Sequence, residues 1–115
     1  MSRDTVTAIC ATLPGAEVSD PWGGGGHDAW KVGGKMFALT GAMSLGVSVK
    51  TRDIETAQML IEAGIAERAP YLHRSWVRLK WDIDDDELRA RIVESYRLIR
   101  GSLTKKVQAA LGEMP

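Results

Sequence analysis

A chain of 115 residues, 44% hydrophobic and 26% charged, has room for one domain with one core and is neither disordered nor collagen-like in composition. Fifteen basic and fifteen acidic residues cancel to zero formal charge, which argues against a strongly basic coat for DNA. The longest apolar runs, such as Met36 to Leu39, are far too short to cross a bilayer, and no apolar stretch of signal-peptide length opens the chain. The single cysteine, Cys10, forms no internal disulfide and fits a reducing cytoplasm.

In chain order, Ser2 to Leu13 predicts a helix capped by Ser2 or Asp4, with Val6, Ile9, Cys10 and Leu13 on one face. Pro14 and Gly15 end it, and residues 16–26, with Pro21, Trp22 and four glycines, read as a loop. Residues 29–32 and 35–39 then read as two strands around a Gly33-Gly34 turn. That register sets Trp30 opposite Phe37 and Lys31 opposite Met36, with Trp30, Val32, Phe37 and Leu39 on the core face. Leu45, Val47 and Val49 alternate with Gly46, Ser48 and Lys50 as a third strand.

Thr51 or Asp53 caps a helix carrying Ile54, Ala57, Leu60 and Ile61, closed by Gly64. Ser75 to Trp81 alternates again, with Val77, Leu79 and Trp81 on one side and Trp76, Arg78 and Lys80 on the other. Asp84 caps the strongest helix, with Glu87 three residues on and a stripe of Leu88, Ile92, Tyr96 and Ile99. A short helix from Thr104 to Leu111 follows. The order α-β-β-β-α-β-α-α predicts a single α+β domain over residues 1–115, an antiparallel sheet with helices packed on one face.

Charge is unevenly placed. Residues 27–52 hold Lys31, Lys35, Lys50 and Arg52 against Asp28, and residues 66–81 hold Arg68, Arg74, Arg78 and Lys80 against Glu67, a net of +3 in each. The strands are thus basic and the helices before the last one acidic. An exposed Trp76 among cations would suit base stacking and phosphate contact, whereas a Trp76 covered by the loop 70–73 would leave an ordinary solvated face.

Other constellations are weaker. The run Asp82 to Glu87 lacks the glycine and distal glutamate of an EF-hand, and helix capping explains it. His27, His73 and Cys10 have no metal-ligand spacing. Gly23 to Gly26 lead into His27-Asp28 instead of the Lys-Ser/Thr of a phosphate loop. Cys10 lies on an apolar stripe, His73 and Ser75 imply no triad, and no carboxylate pair stands apart. The expectation is no enzyme, no metal and no cofactor.

Leu13-Pro14-Gly15, the hairpin Trp30-Lys31-Val32-Gly33-Gly34-Lys35-Met36-Phe37-Ala38, Trp76-Val77, Ser95-Tyr96 and Leu103-Thr104-Lys105-Lys106, in that order, resemble the MmcQ/YjbR family over nearly the whole chain. The resemblance implies a CyaY-like α+β fold, related in shape to frataxins, and a "double wing" label for DNA binding, with no established enzymatic activity or cofactor. Many relatives carry Asn-Lys-x-His-Trp where this chain has Leu72-His73-Arg74-Ser75-Trp76, which keeps the tryptophan and a basic residue, loses the asparagine and shifts the histidine.

The leading expectation is a non-enzymatic module that binds DNA, weakly and with strong salt dependence, through Lys31, Lys35, Lys50, Arg52, Arg74, Trp76, Arg78 and Lys80. The alternative is a small-molecule or protein-binding domain, with Trp22 and the glycine loop folded over a pocket of Trp30, Trp76 and Tyr71. A frataxin-like metal handler using Asp84 to Glu87 ranks third.

Overall fold

The computed structural model describes residues 2–21 and 23–115. Its elements are α1 (Arg3–Cys10), β1 (Glu17–Ser19), β2 (Asp28–Val32), β3 (Lys35–Thr40), β4 (Val47–Lys50), α2 (Ile54–Glu62), β5 (Ala66–Arg68), β6 (Trp76–Leu79), α3 (Asp85–Gly101) and α4 (Lys105–Ala110). The strands form one six-stranded sheet in the order β1-β2-β3-β4-β6-β5, antiparallel at every pairing. Val6, Ile9 and Cys10 of α1, Ala57 and Leu60 of α2, and Leu88, Ile92, Tyr96 and Ile99 of α3 join the inward side chains of the sheet in one buried cluster. This is the expected α+β sheet with helices on one face.

Two strands escape sequence reading. β1 lies in the stretch expected to be a loop, and β5 has no counterpart in the expected order. Each is three residues long, too short for a period to register, and each exists by pairing with a longer neighbour, β2 or β6. Leu45 and Trp81 fall outside the strands that their alternation suggested, and Leu45 is exposed.

The hairpin register is half as expected. Lys31 does face Met36, but Trp30 faces Ala38, because the ladder shifts between Trp30 and Lys31. Phe37 is the extra residue of a β-bulge, so Phe37 and Ala38 both turn into the core and the alternation restarts one step late. Trp30, Val32 and Phe37 are buried as expected, whereas Leu39 moves to the opposite, outer face.

Candidate functional site

The outer face of the sheet is built in rows. One row crosses all six strands as Ser19, Ala29, Leu39, Ser48, Arg78 and Glu67, each opposite the next in the ladder. A second row sets Glu17, Lys31 and Met36 side by side. Alanine and serine in the first row leave little volume above the strands, so the floor is low where Ala29 and Ser48 lie. The loop 41–46 and the loop 70–72 line the same space. The result is a half-open groove of about 930 Å³.

The groove is mainly apolar. Its large apolar lining residues are Met36, Leu39, Met43, Leu45, Tyr71 and Leu72. Met43 is 78% exposed and the Tyr71 side chain stands wholly in solvent, at a positive φ of 65° that tyrosine rarely adopts. Ser44 also has a positive φ, 52°, and its carbonyl accepts a hydrogen bond from the Trp81 indole N–H, which ties the loop 41–46 to the end of the last strand. Among the described residues, the lining carries Lys31, Arg78 and His27 as its basic groups and the Tyr71 phenol, with no carboxylate among them. The Arg78 guanidinium is held by Glu67 at 2.6 Å, and His27 lies 4.0 Å from Asp20.

The eight expected contact residues do not share one surface. Lys31 and Arg78 line the groove. Lys50 and Arg52 line a separate cleft beside the start of α2, where Lys50 Nζ donates to Ser75 Oγ at 2.9 Å and Arg52 lies 3.7 Å from Asp53. Lys35 reaches Ser102 Oγ at 3.4 Å, near the end of α3. Arg74 and Lys80 are exposed. Trp76 is only 9% exposed and belongs to the buried cluster, so it presents no open face for a base to stack on. A large indole gains more from burial than from solvent contact, and Leu72 packs against the same cluster.

The pocket expected under the glycine loop differs in its walls. Tyr71 lines the groove, Trp30 points to the core, Trp76 is not part of the lining, and Trp22 lies outside the described residues. Met36, Leu39, Met43 and Leu45 were missed as lining residues. The Leu39 face depends on the bulge, while the exposed Met43 and Leu45, on a short glycine-bounded loop, gave a signal that sequence reading passed over. The residues Asp84 to Glu87 gather no metal site. Asp84 Oδ2 accepts from the backbone N–H groups of Asp86 and Glu87, and Glu87 pairs with Arg91 at 3.4 Å. Among the described residues no group of three or more His, Cys, Asp and Glu could hold a metal ion.

The sequence model of the YjbR family matches residues 11–98, a span that contains the whole groove and the cleft beside α2. The chain belongs to the YjbR family. Among solved structures it is similar to the Deinococcus radiodurans protein DR2400, which carries the DUF419 domain, with a TM-score of 0.85 and 25% identity over 99% of this chain and 89% of that one. No curated protein matches. Among the described residues, no helix of this YjbR-family chain is long and apolar enough to cross a membrane.

Proposed function

We propose that this YjbR-family chain is a non-enzymatic binding module whose site is the groove on the outer sheet face, and that it takes a small amphipathic molecule with an apolar body and an anionic head. The groove volume of about 930 Å³, apolar in its walls and with only basic groups among its charged lining, carries this reading. Ligand sites generally have this size and balance, in which a few polar groups orient a ligand that apolar walls hold. The apolar body would lie on Met36, Leu39, Met43 and Leu45, and the anionic head would reach Lys31 and the free edge of Arg78. The probe is anilinonaphthalene sulfonate, whose rings and sulfonate have this character. Its emission should rise and shift to the blue with the native protein. Met43→Glu, a change at an exposed position, should reduce that response about tenfold. A native protein that leaves the dye dark, or a variant that binds as well as wild type, would refute the groove as the site.

A nucleic acid is the second reading, favoured by Arg74 and Lys80, which are exposed and make no ion pair or side-chain hydrogen bond among the described residues. It requires that the anisotropy of labelled DNA fall steeply as salt rises and that Lys80→Glu weaken binding.

A further inference from the structure

The cleft beside α2 shares no residue with the groove and has a different chemistry. It has a volume of about 520 Å³ and gathers Lys50 from the end of β4, Arg52 from the following turn, and His73 and Ser75 from the segment that leads into β6. Ser75 is 3% exposed and orders the group. Its backbone N–H donates to His73 Nδ1 at 3.1 Å, and its hydroxyl lies 2.8 Å from the same nitrogen. A backbone N–H can only donate, so Nδ1 is an acceptor and the neutral ring carries its proton on Nε2. The serine hydroxyl therefore also donates to Nδ1, and its oxygen accepts from Lys50 Nζ.

This arrangement engages the His73 and Ser75 acceptors and leaves donors. Lys50 is half-buried and has a hydroxyl as its side-chain partner, with no carboxylate within ion-pair distance among the described residues. Two ammonium N–H groups, the His73 Nε2–H and the outer guanidinium nitrogens of Arg52 remain available. Of the two acids in the wall, Asp53 accepts the Thr56 N–H at 2.7 Å as the helix cap and faces Arg52, which leaves Glu55 as the uncommitted one. Charged donors gathered from Lys50, Arg52 and His73, opposed by the single uncommitted carboxylate of Glu55, favour a group with several anionic oxygens.

We propose that this cleft is a second binding site, which takes the phosphate monoester group of a small molecule on Lys50, Arg52 and His73. The dianion offers more terminal oxygens and more charge than a diester, and the cleft offers donors from two segments, 50–52 and 73–75. The chain contains two histidines, so the imidazole carbon–proton resonances of His73 and His27 are readily told apart by NMR. Inorganic phosphate is titrated against chloride at equal ionic strength. His73 should shift saturably with phosphate and not with chloride. Lys50→Met should weaken that binding about tenfold, Arg52→Gln at an exposed position should weaken it less, and Glu55→Gln should tighten it. Met43→Glu in the groove should leave it unchanged, which keeps failure of the groove reading separate from failure of this one. A His73 response equal for the two salts, unchanged binding in both Lys50→Met and Arg52→Gln, or equal binding of dimethyl phosphate would each overturn the assignment.

Discussion

Ser95 shows how one small side chain can join helix to sheet. It is fully buried in α3, its hydroxyl donates to the Phe37 carbonyl at 2.6 Å, and its oxygen accepts the Lys50 backbone N–H at 2.9 Å. Both partners sit where the ladder is irregular or ends, at the bulge and at the last residue of β4. Ser95→Ala removes both bonds at once without changing shape, and should lower the unfolding free energy by about 2 kcal/mol, read from urea denaturation. An effect below about 0.5 kcal/mol, the usual range for surface changes, would show that the two backbone groups find other partners. Cys10 behaves in the opposite sense, as a polar group kept apart from partners. Burial pushes its thiol from 9.0 up to about 12. The thiol stays protonated in the folded chain at a pH where the unfolded chain loses its proton. Stability is therefore unaffected well below 9.0, and falls as pH rises from there towards 12, by up to about 1.4 kcal/mol per pH unit. The slope difference between wild type and Cys10→Ala over that window measures it, and equal slopes would disprove the burial effect.

At the scale of elements, helix starts are the part of this fold written most locally. Ser2, Asp53, Asp84 and Thr104 each accept a backbone N–H from the first turn of the helix they precede. Such caps depend on residues within three positions of one another, so sequence shows them. The Gly33-Gly34 turn is equally local, with φ of 57° and 81°. Gly33→Val should cost about 1–3 kcal/mol, because a β-branched residue is strained at positive φ and its Cβ would press on the Leu103 side chain. Gly34→Asn, at an open position, should be nearly neutral in the same thermal or urea melt. Equal effects at the two sites would show that the turn is not held in this geometry. The bulge at Phe37 is the counterexample. Nothing in Lys35-Met36-Phe37-Ala38-Leu39 marks one residue as extra, and the inward Phe37 meets a residue far along the chain, Tyr96, edge to face with ring centres 5.3 Å apart.

For the whole molecule, the chief consequence of that slip is the groove. It puts Leu39 on the outer face beside Ala29 and Ser48, where small neighbours leave space above the sheet. The two cavities lie on different loops and share no residue, so Met43→Glu and Lys50→Met should act independently, their combined effect on either ligand matching the single variants. The neutral total charge likewise conceals an arrangement that only folding reveals, since Lys31 and Arg78 border one cavity and Lys50 and Arg52 the other.

The sequence by itself determined the α+β class, all four helices, the Asp84 cap, the three longer central strands, β6, most of the buried residues, and the family through its Lys31-to-Ala38 hairpin and later motifs. These signals are carried by residues within a few positions of one another, through caps, turns and periodicity. The tertiary structure alone decided the edge strands β1 and β5, the face of Leu39, the burial of Trp76, and the grouping of the basic residues into two cavities. Each of these depends on partners far away in the chain: β2 for β1, β6 for β5, Tyr96 for Phe37 and Ser75 for Lys50. A local pattern cannot say which distant surface will cover a residue, and in this protein that covering decides where a ligand can sit.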